Sequence, residues 1–167
     1  MDGAVALLGA ERAVLQLVER DTLRVVAQHG HPPAFLESCA SVSVRAFVGA
    51  EALKRRQRVL VEDVDRSHAV SGIPSRRMLL DAGIRAMLFT PLLARQGGLL
   101  GLLSLSWSVP HTPQEQDLEQ LDLLAREGAL LIEHEQTKEK LQDVLQAARE
   151  DRQATAEESR TLRQMLQ

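Results

Sequence analysis

The chain contains no tyrosine, one tryptophan, three phenylalanines and one cysteine. So few aromatic rings exclude the base-stacking platforms on which proteins hold single-stranded nucleic acid. The lone Cys39 excludes an internal disulfide and fits a reducing compartment. Charge of one sign is also missing: 20 Lys and Arg against 23 Asp and Glu leave a net charge of −3, with no long-range attraction to nucleic acid or an anionic membrane. No apolar run approaches the ~20 residues a spanning helix needs, and no basic segment at the N-terminus leads to a cleavage site. The expectation is a cytoplasmic chain with neither nucleic acid nor membrane as a direct partner, compatible with its being a piece of a larger membrane-anchored protein.

Catalytic patterns are missing too. There is no Gly-rich phosphate loop, no Ser/His/Asp set and no paired-carboxylate motif. His29, His31, His68, His111 and His134 fall outside any metal-ligand spacing, and most read as solvated loop residues. His134-Glu135 runs into Gln136-Thr137-Lys138 and reads as helix surface. The one basic run, Lys54-Arg55-Arg56-Gln57-Arg58, reads as a solvated face that complements a helix C-terminus. No enzyme activity, metal or cofactor is expected.

What the sequence does hold is a dense apolar stretch from Gly83 to Ser108, broken by one turn. Arg85 to Ala94 and Leu99 to Trp107 are strand-length, and Gln96-Gly97-Gly98 supplies the positive φ of a tight connection. Met87, Phe89 and Leu93 share one face of the first arm and Ala86, Leu88 and Leu92 the other, as in a strand covered on both sides. On the second arm Leu99, Leu103, Leu105 and Trp107 share a face. The opposite face runs Leu100, Leu102, Ser104, Ser106 and becomes hydroxyl-lined.

At 167 residues the chain is one domain with a modest extension. Ala4 to Leu8 reads as the end of a helix that starts before Met1. Ala13 to Val18 and Leu23 to Gln28 alternate around Glu19-Arg20-Asp21-Thr22 and predict a first hairpin. His29-Gly30-His31-Pro32-Pro33 ends it, and Ala34 to Cys39 is a short helix. A second helix is expected from Phe47 to Gln57, with Val48, Ala52 and Leu53 inward, and a strand from Arg58 to Val64. Asp65 to Ser75 reads as a covering loop, and Arg76 to Ala82 as a helix capped by Gly83. Thr112-Pro113-Gln114-Glu115 is a capping box with proline at the first helical position. Leu118, Leu121, Leu124, Ala125, Leu131 and Ile132 give the last helix an apolar face. The fold class is α+β, a central antiparallel sheet flanked by helices with a long C-terminal helix.

The stretch Gly-Ile-Arg-Ala, a strand ending Pro-Leu, a Gly turn and Gly-Leu-Leu-Gly-Leu-Leu-Ser resembles the signature of GAF domains. The resemblance implies a sensory or regulatory module of a bacterial signalling protein, over residues 1–133, followed by a helical signalling extension over residues 134–167. It implies a parent protein with an output domain such as a histidine kinase or cyclase. Some GAF domains carry a bilin on a cysteine, but Cys39 is not placed for one. GAF-like methionine sulfoxide reductases need more than one cysteine. The Asn-Lys-Phe-Asp-Glu pattern of cyclic-nucleotide-binding GAF domains is absent.

Two functions follow as expectations. One is a module that binds a small molecule between sheet and covering loop, lined by Phe47, Asp63, His68, Thr90, Ser104 and Ser106. The other is a ligand-free dimerisation and spacer module. In either, Leu141, Val144, Ala148, Leu162 and Met165 form a weak heptad seam, recovering toward Leu166, on which the helix pairs in a homodimer.

Overall fold

The computed structural model describes residues 1–70 and 74–165. Along the chain come α1 (Asp2–Leu8), β1 (Arg12–Glu19), β2 (Thr22–His29), α2 (Pro33–Cys39), β3 (Ser41–Ser43) and α3 (Ala50–Arg55). Then follow β4 (Val59–Val61), α4 (Arg76–Asp81), β5 (Ala86–Leu93), β6 (Leu99–Trp107) and α5 (Glu115–Met165). The chain divides into two units, Met1–Leu130 and Leu131–Gln167.

In the first unit the six strands form one antiparallel sheet in the order β3-β2-β1-β6-β5-β4. The Gly turn makes the central hairpin as its chemistry requires. Gly97 sits at φ 79, the Ala94 N–H donates to the Gly98 carbonyl at 2.8 Å, and the Gly97 N–H returns to the Ala94 carbonyl at 2.8 Å. Register then fixes the faces: Met87 opposes Ser106, Phe89 opposes Ser104 and Thr90 opposes Leu103. Leu92 opposes Gly101 but Leu93 opposes Leu99, so Leu100 is an extra residue in the ladder. That bulge turns Leu99 to the face of Phe89, not to the face of Leu103 that plain alternation predicts.

Alternation gives the sheet two cores. Ala13, Leu88, Leu103, Leu105 and Trp107 pack on α1 and on Leu118 and Leu121 of α5, and the Trp107 Nε1–H donates to the Leu8 carbonyl at 3.2 Å. Met87, Phe89 and Leu102 pack on the opposite face against Phe47, Ala52 and Leu53 and against Leu79 of α4. Ser75 caps α4, its hydroxyl accepting from the Met78 N–H at 3.4 Å, and Gly83 leaves the helix at φ 71.

Three elements differ most from the sequence reading in their bounds. The helix expected from Phe47 begins at Ala50, because the chain turns at Gly49 to place the Phe47 ring edge-on to Phe89, centroids 6.4 Å apart. A Cβ at Gly49 would lie 2.6 Å from both rings, so only glycine lets this turn close. The strand expected over residues 58–64 is only Val59–Val61. The last helix begins at Glu115, two residues late, because the Thr112 hydroxyl donates to Glu62 at 3.1 Å and the Glu115 carboxylate accepts from Arg58 at 2.6 Å. Both side chains of the expected capping box are thus occupied by tertiary partners. Leu131 is 69% exposed and Leu124 39% exposed, so the buried stripe of α5 runs instead through Leu118, Leu121, Ala125 and Ala129.

In the second unit the helical residues are exposed throughout most of their length, including Leu141, Val144, Leu145, Ala148, Leu162 and Met165. Thr155, seven residues from both Ala148 and Leu162 and so in heptad step with them, donates its hydroxyl to the Asp151 carbonyl one turn back at 2.9 Å. Leu166 lies outside the described residues. Among the described residues no helix is long and apolar enough to cross a membrane.

Candidate functional site

Ser104 and Ser106 stand two residues apart on one face of β6. Their small side chains leave a hollow between Val14 and Gln16 of β1 and Met87 and Phe89 of β5. Above it, Phe35 and Cys39 point down from successive turns of α2, and Val42, Phe47 and Pro74 complete the cover. The free volume is about 40 Å³. A water needs roughly 10–15 Å³ on that measure, so the cavity holds about three or four waters or a molecule of a few heavy atoms.

Polar atoms in this wall lack partners. The Ser106 hydroxyl is buried without a hydrogen bond, and so is Nδ1 of His31. His31 closes one end, its backbone N–H donating to Gln28 Oε1 at 3.3 Å and its ring stacked on Phe35. Burial, and secondarily the positive charge of Arg12, push the imidazole down to about 4, so it is neutral at pH 7. Burial also pushes the Cys39 thiol up, against the opposing effect of its contact with the Ser38 hydroxyl. A protonated thiol is a poor nucleophile, and no carboxylate lines the cavity. This chemistry suits recognition of an uncharged molecule by hydrogen bonds: His31 and Ser106 each bring an unmet bond inside apolar walls.

Of the residues expected to line a site, Phe47, Ser104 and Ser106 are here together. Thr90 is not. It opposes Leu103 and therefore faces α5, because the pleat turns it away from its neighbour Phe89. Asp63 accepts from the Asp65 N–H at 3.0 Å and so holds a turn after β4, while His68 is exposed in the same connection. Neither lines the cavity. The expected loop supplies only Pro74 among the described residues, residues 71–73 lying outside them, and the cover comes mainly from α2 and residues 42–48. The sequence reading missed Gln16, His31 and Cys39 as wall residues. A signal was present for His31, four residues before Phe35 at the proline-led start of a helix.

A family model described as GAF domain matches residues 1–133. The chain therefore belongs to the GAF family, whose members are typically regulatory modules. No curated protein matches the sequence. Among solved structures, it is similar to a domain of a protein assigned as a two-component sensor histidine kinase from Sinorhizobium meliloti 1021, with TM-score 0.70 and 20% identity over 84% of this chain and 91% of that one. It is similar to a GAF domain/HD domain protein from Geobacter sulfurreducens, with TM-score 0.69 and 16% identity over 81% and 88%. A type II free methionine-R-sulfoxide reductase from Thermoplasma acidophilum is also similar, with TM-score 0.59 and 14% identity over 75% and 80%. At these identities the likeness is one of fold.

Proposed function

We propose that this chain is a non-catalytic sensory domain of a bacterial signal-transduction protein, which binds a small uncharged polar molecule in the cavity under α2. The observation that carries the reading is the pair of orphaned buried groups, His31 Nδ1 and Ser106 Oγ, on one hollow ringed by Phe35, Phe47 and Phe89. Native proteins rarely leave such groups unpaired, and a ligand or ordered water is the usual partner. The non-catalytic part rests on Cys39: the only thiol is buried with its pKa raised, the reverse of what thiol redox chemistry needs.

Binding on the even-numbered side of β6 acts on the strand whose odd-numbered residues pack on α5, and we assign the output to that helix. The exposed Leu141, Val144, Leu162 and Met165 suit pairing with a second copy, and an output domain such as a histidine kinase or cyclase fits such a relay. A ligand for the native state raises its melting temperature by mass action. The test is thermal unfolding against a library of small metabolites, with native mass spectrometry for a co-purified molecule. A hit lost in Ser106→Val supports the reading, and a library without hits together with a bare mass overturns it in favour of a ligand-free spacer.

A further inference from the structure

The side of the sheet that α5 covers carries chemistry the cavity lacks. Beside the end of β4 a groove of about 470 Å³ runs between β5 and the α5 residues Asp122 to Arg126. That volume falls in the range of small-molecule sites, roughly 300–1,000 Å³. Three guanidinium groups line it, Arg56, Arg58 and Arg126, against the single carboxylate of Asp122. The sequence scatters these arginines between the turn after α3 and the last helix. Folding brings them to one place.

Their charges are not equally compensated. Arg58 faces two carboxylates: it donates to Glu115 at 2.6 Å and to Asp122. Arg56 donates to the Gly97 carbonyl, a neutral acceptor, so its charge is unmatched. Arg126 has no hydrogen-bond or ion-pair partner among the described residues. Thr90, 3% exposed, is also in the lining, and its hydroxyl is buried with no partner in the protein. A buried hydroxyl without a bond costs about 1–3 kcal/mol, and Thr90 lines this groove and not the cavity.

Two unmatched guanidinium groups and one idle donor call for an acceptor-rich dianion. A carboxylate would match only one charge. A phosphate monoester carries about −1.5 to −2 at pH 7 and three acceptor oxygens, and the guanidinium fork fits it bidentately. Pro91 and Leu93 form an apolar wall beside the arginines, which gives an organic body a place to lie. We propose that this groove is a second ligand site, for a small phosphorylated metabolite, with Arg56 and Arg126 clasping the phosphoryl group and the Thr90 hydroxyl donating to it. Its occupancy ties the turn after α3 to α5, on the opposite side of the sheet from the cavity.

The test is isothermal titration calorimetry of the full chain at about 50 mM salt, where screening is modest, with ribose 5-phosphate and inorganic phosphate as probes. Ribose 5-phosphate is expected to bind one to one and more tightly than inorganic phosphate. Arg56→Gln and Arg126→Gln should each weaken it about tenfold with unfolding curves that match the parent, and Thr90→Val should weaken it several-fold while unfolding no earlier than the parent, since it removes an unbonded buried hydroxyl. Ser106→Ala, on the other face, should leave this binding unchanged even if it abolishes a cavity ligand, so the two sites fail separately. No heat from either probe up to about 10 mM, or unaltered binding in the double arginine variant, overturns the site. Equal affinity for the two probes overturns the assignment to an organic phosphate.

Discussion

The imidazole of His31 lies on the ring of Phe35, centroids 4.9 Å apart and planes 12° from parallel. The stack holds a titratable group at the rim of an apolar cavity, where protonation is costly. Its pKa of about 4 in the folded protein lies below the ordinary 6.5, so between those values the unfolded chain binds a proton that the folded chain refuses. The contribution of His31 to stability is therefore full above pH 6.5 and is lost as the pH falls toward 4. Urea unfolding at pH 7.5 and 5 should show a larger loss for the parent than for His31→Asn; parallel losses would refute this.

Ser106 supplies a test of opposite sign to most core substitutions. Its hydroxyl is buried and unbonded, so Ser106→Ala removes a desolvated polar atom at almost no loss of volume. The ligand-free protein should gain about 1 kcal/mol, read as a melting temperature roughly 2–4 °C higher. A lower melting temperature would mean that the hydroxyl is bonded in solution.

Cys39 should resist a thiol reagent at pH 8 in the folded protein and react at once in denaturant, because burial both shields the sulfur and raises its pKa. Fast modification of the native protein would contradict the placement of α2 and reopen a reactive-thiol role.

Much of the first unit was legible because its signals are local. The hairpin of β5 and β6 follows from alternation around Gly97. What was not legible depends on partners distant in sequence: Gly49 delays α3 because of Phe89, and Glu62 and Arg58 take up both side chains of the capping box. Thr90 is a different case. Alternation already put it with Ala86, Leu88 and Leu92, so grouping it with Ser104 and Ser106 set its chemistry above its position on the pleat. The meeting of Arg56 and Arg58 with Arg126 had no signal in the run Lys54 to Arg58, since it needs the last helix beside β5.

Gly49→Ala should destabilise the domain by about 1–3 kcal/mol, since the new methyl group meets the rings of Phe47 and Phe89 at 2.6 Å and both must yield. Those rings wall the cavity, so any cavity ligand should bind more weakly in the variant. Chemical denaturation gives the first effect and calorimetry the second.

Light scattering on the full chain should give a dimer, and Leu141→Asp combined with Val144→Asp should shift it toward monomer, because both side chains are exposed where a second copy would cover them. A chain stopped at Gln136 should weaken in the same way. Monomer in all three would defeat the pairing.

Strand β6 keeps two sets of residues on two faces of one ribbon: Ser104 and Ser106 toward the cavity, Leu103, Leu105 and Trp107 toward α5. Natural selection therefore meets two independent alphabets in one short segment. On the proposed reading, a change at an even-numbered letter alters what fits the cavity and leaves the bed of α5 intact, so that ligand choice and the seating of the helix vary independently.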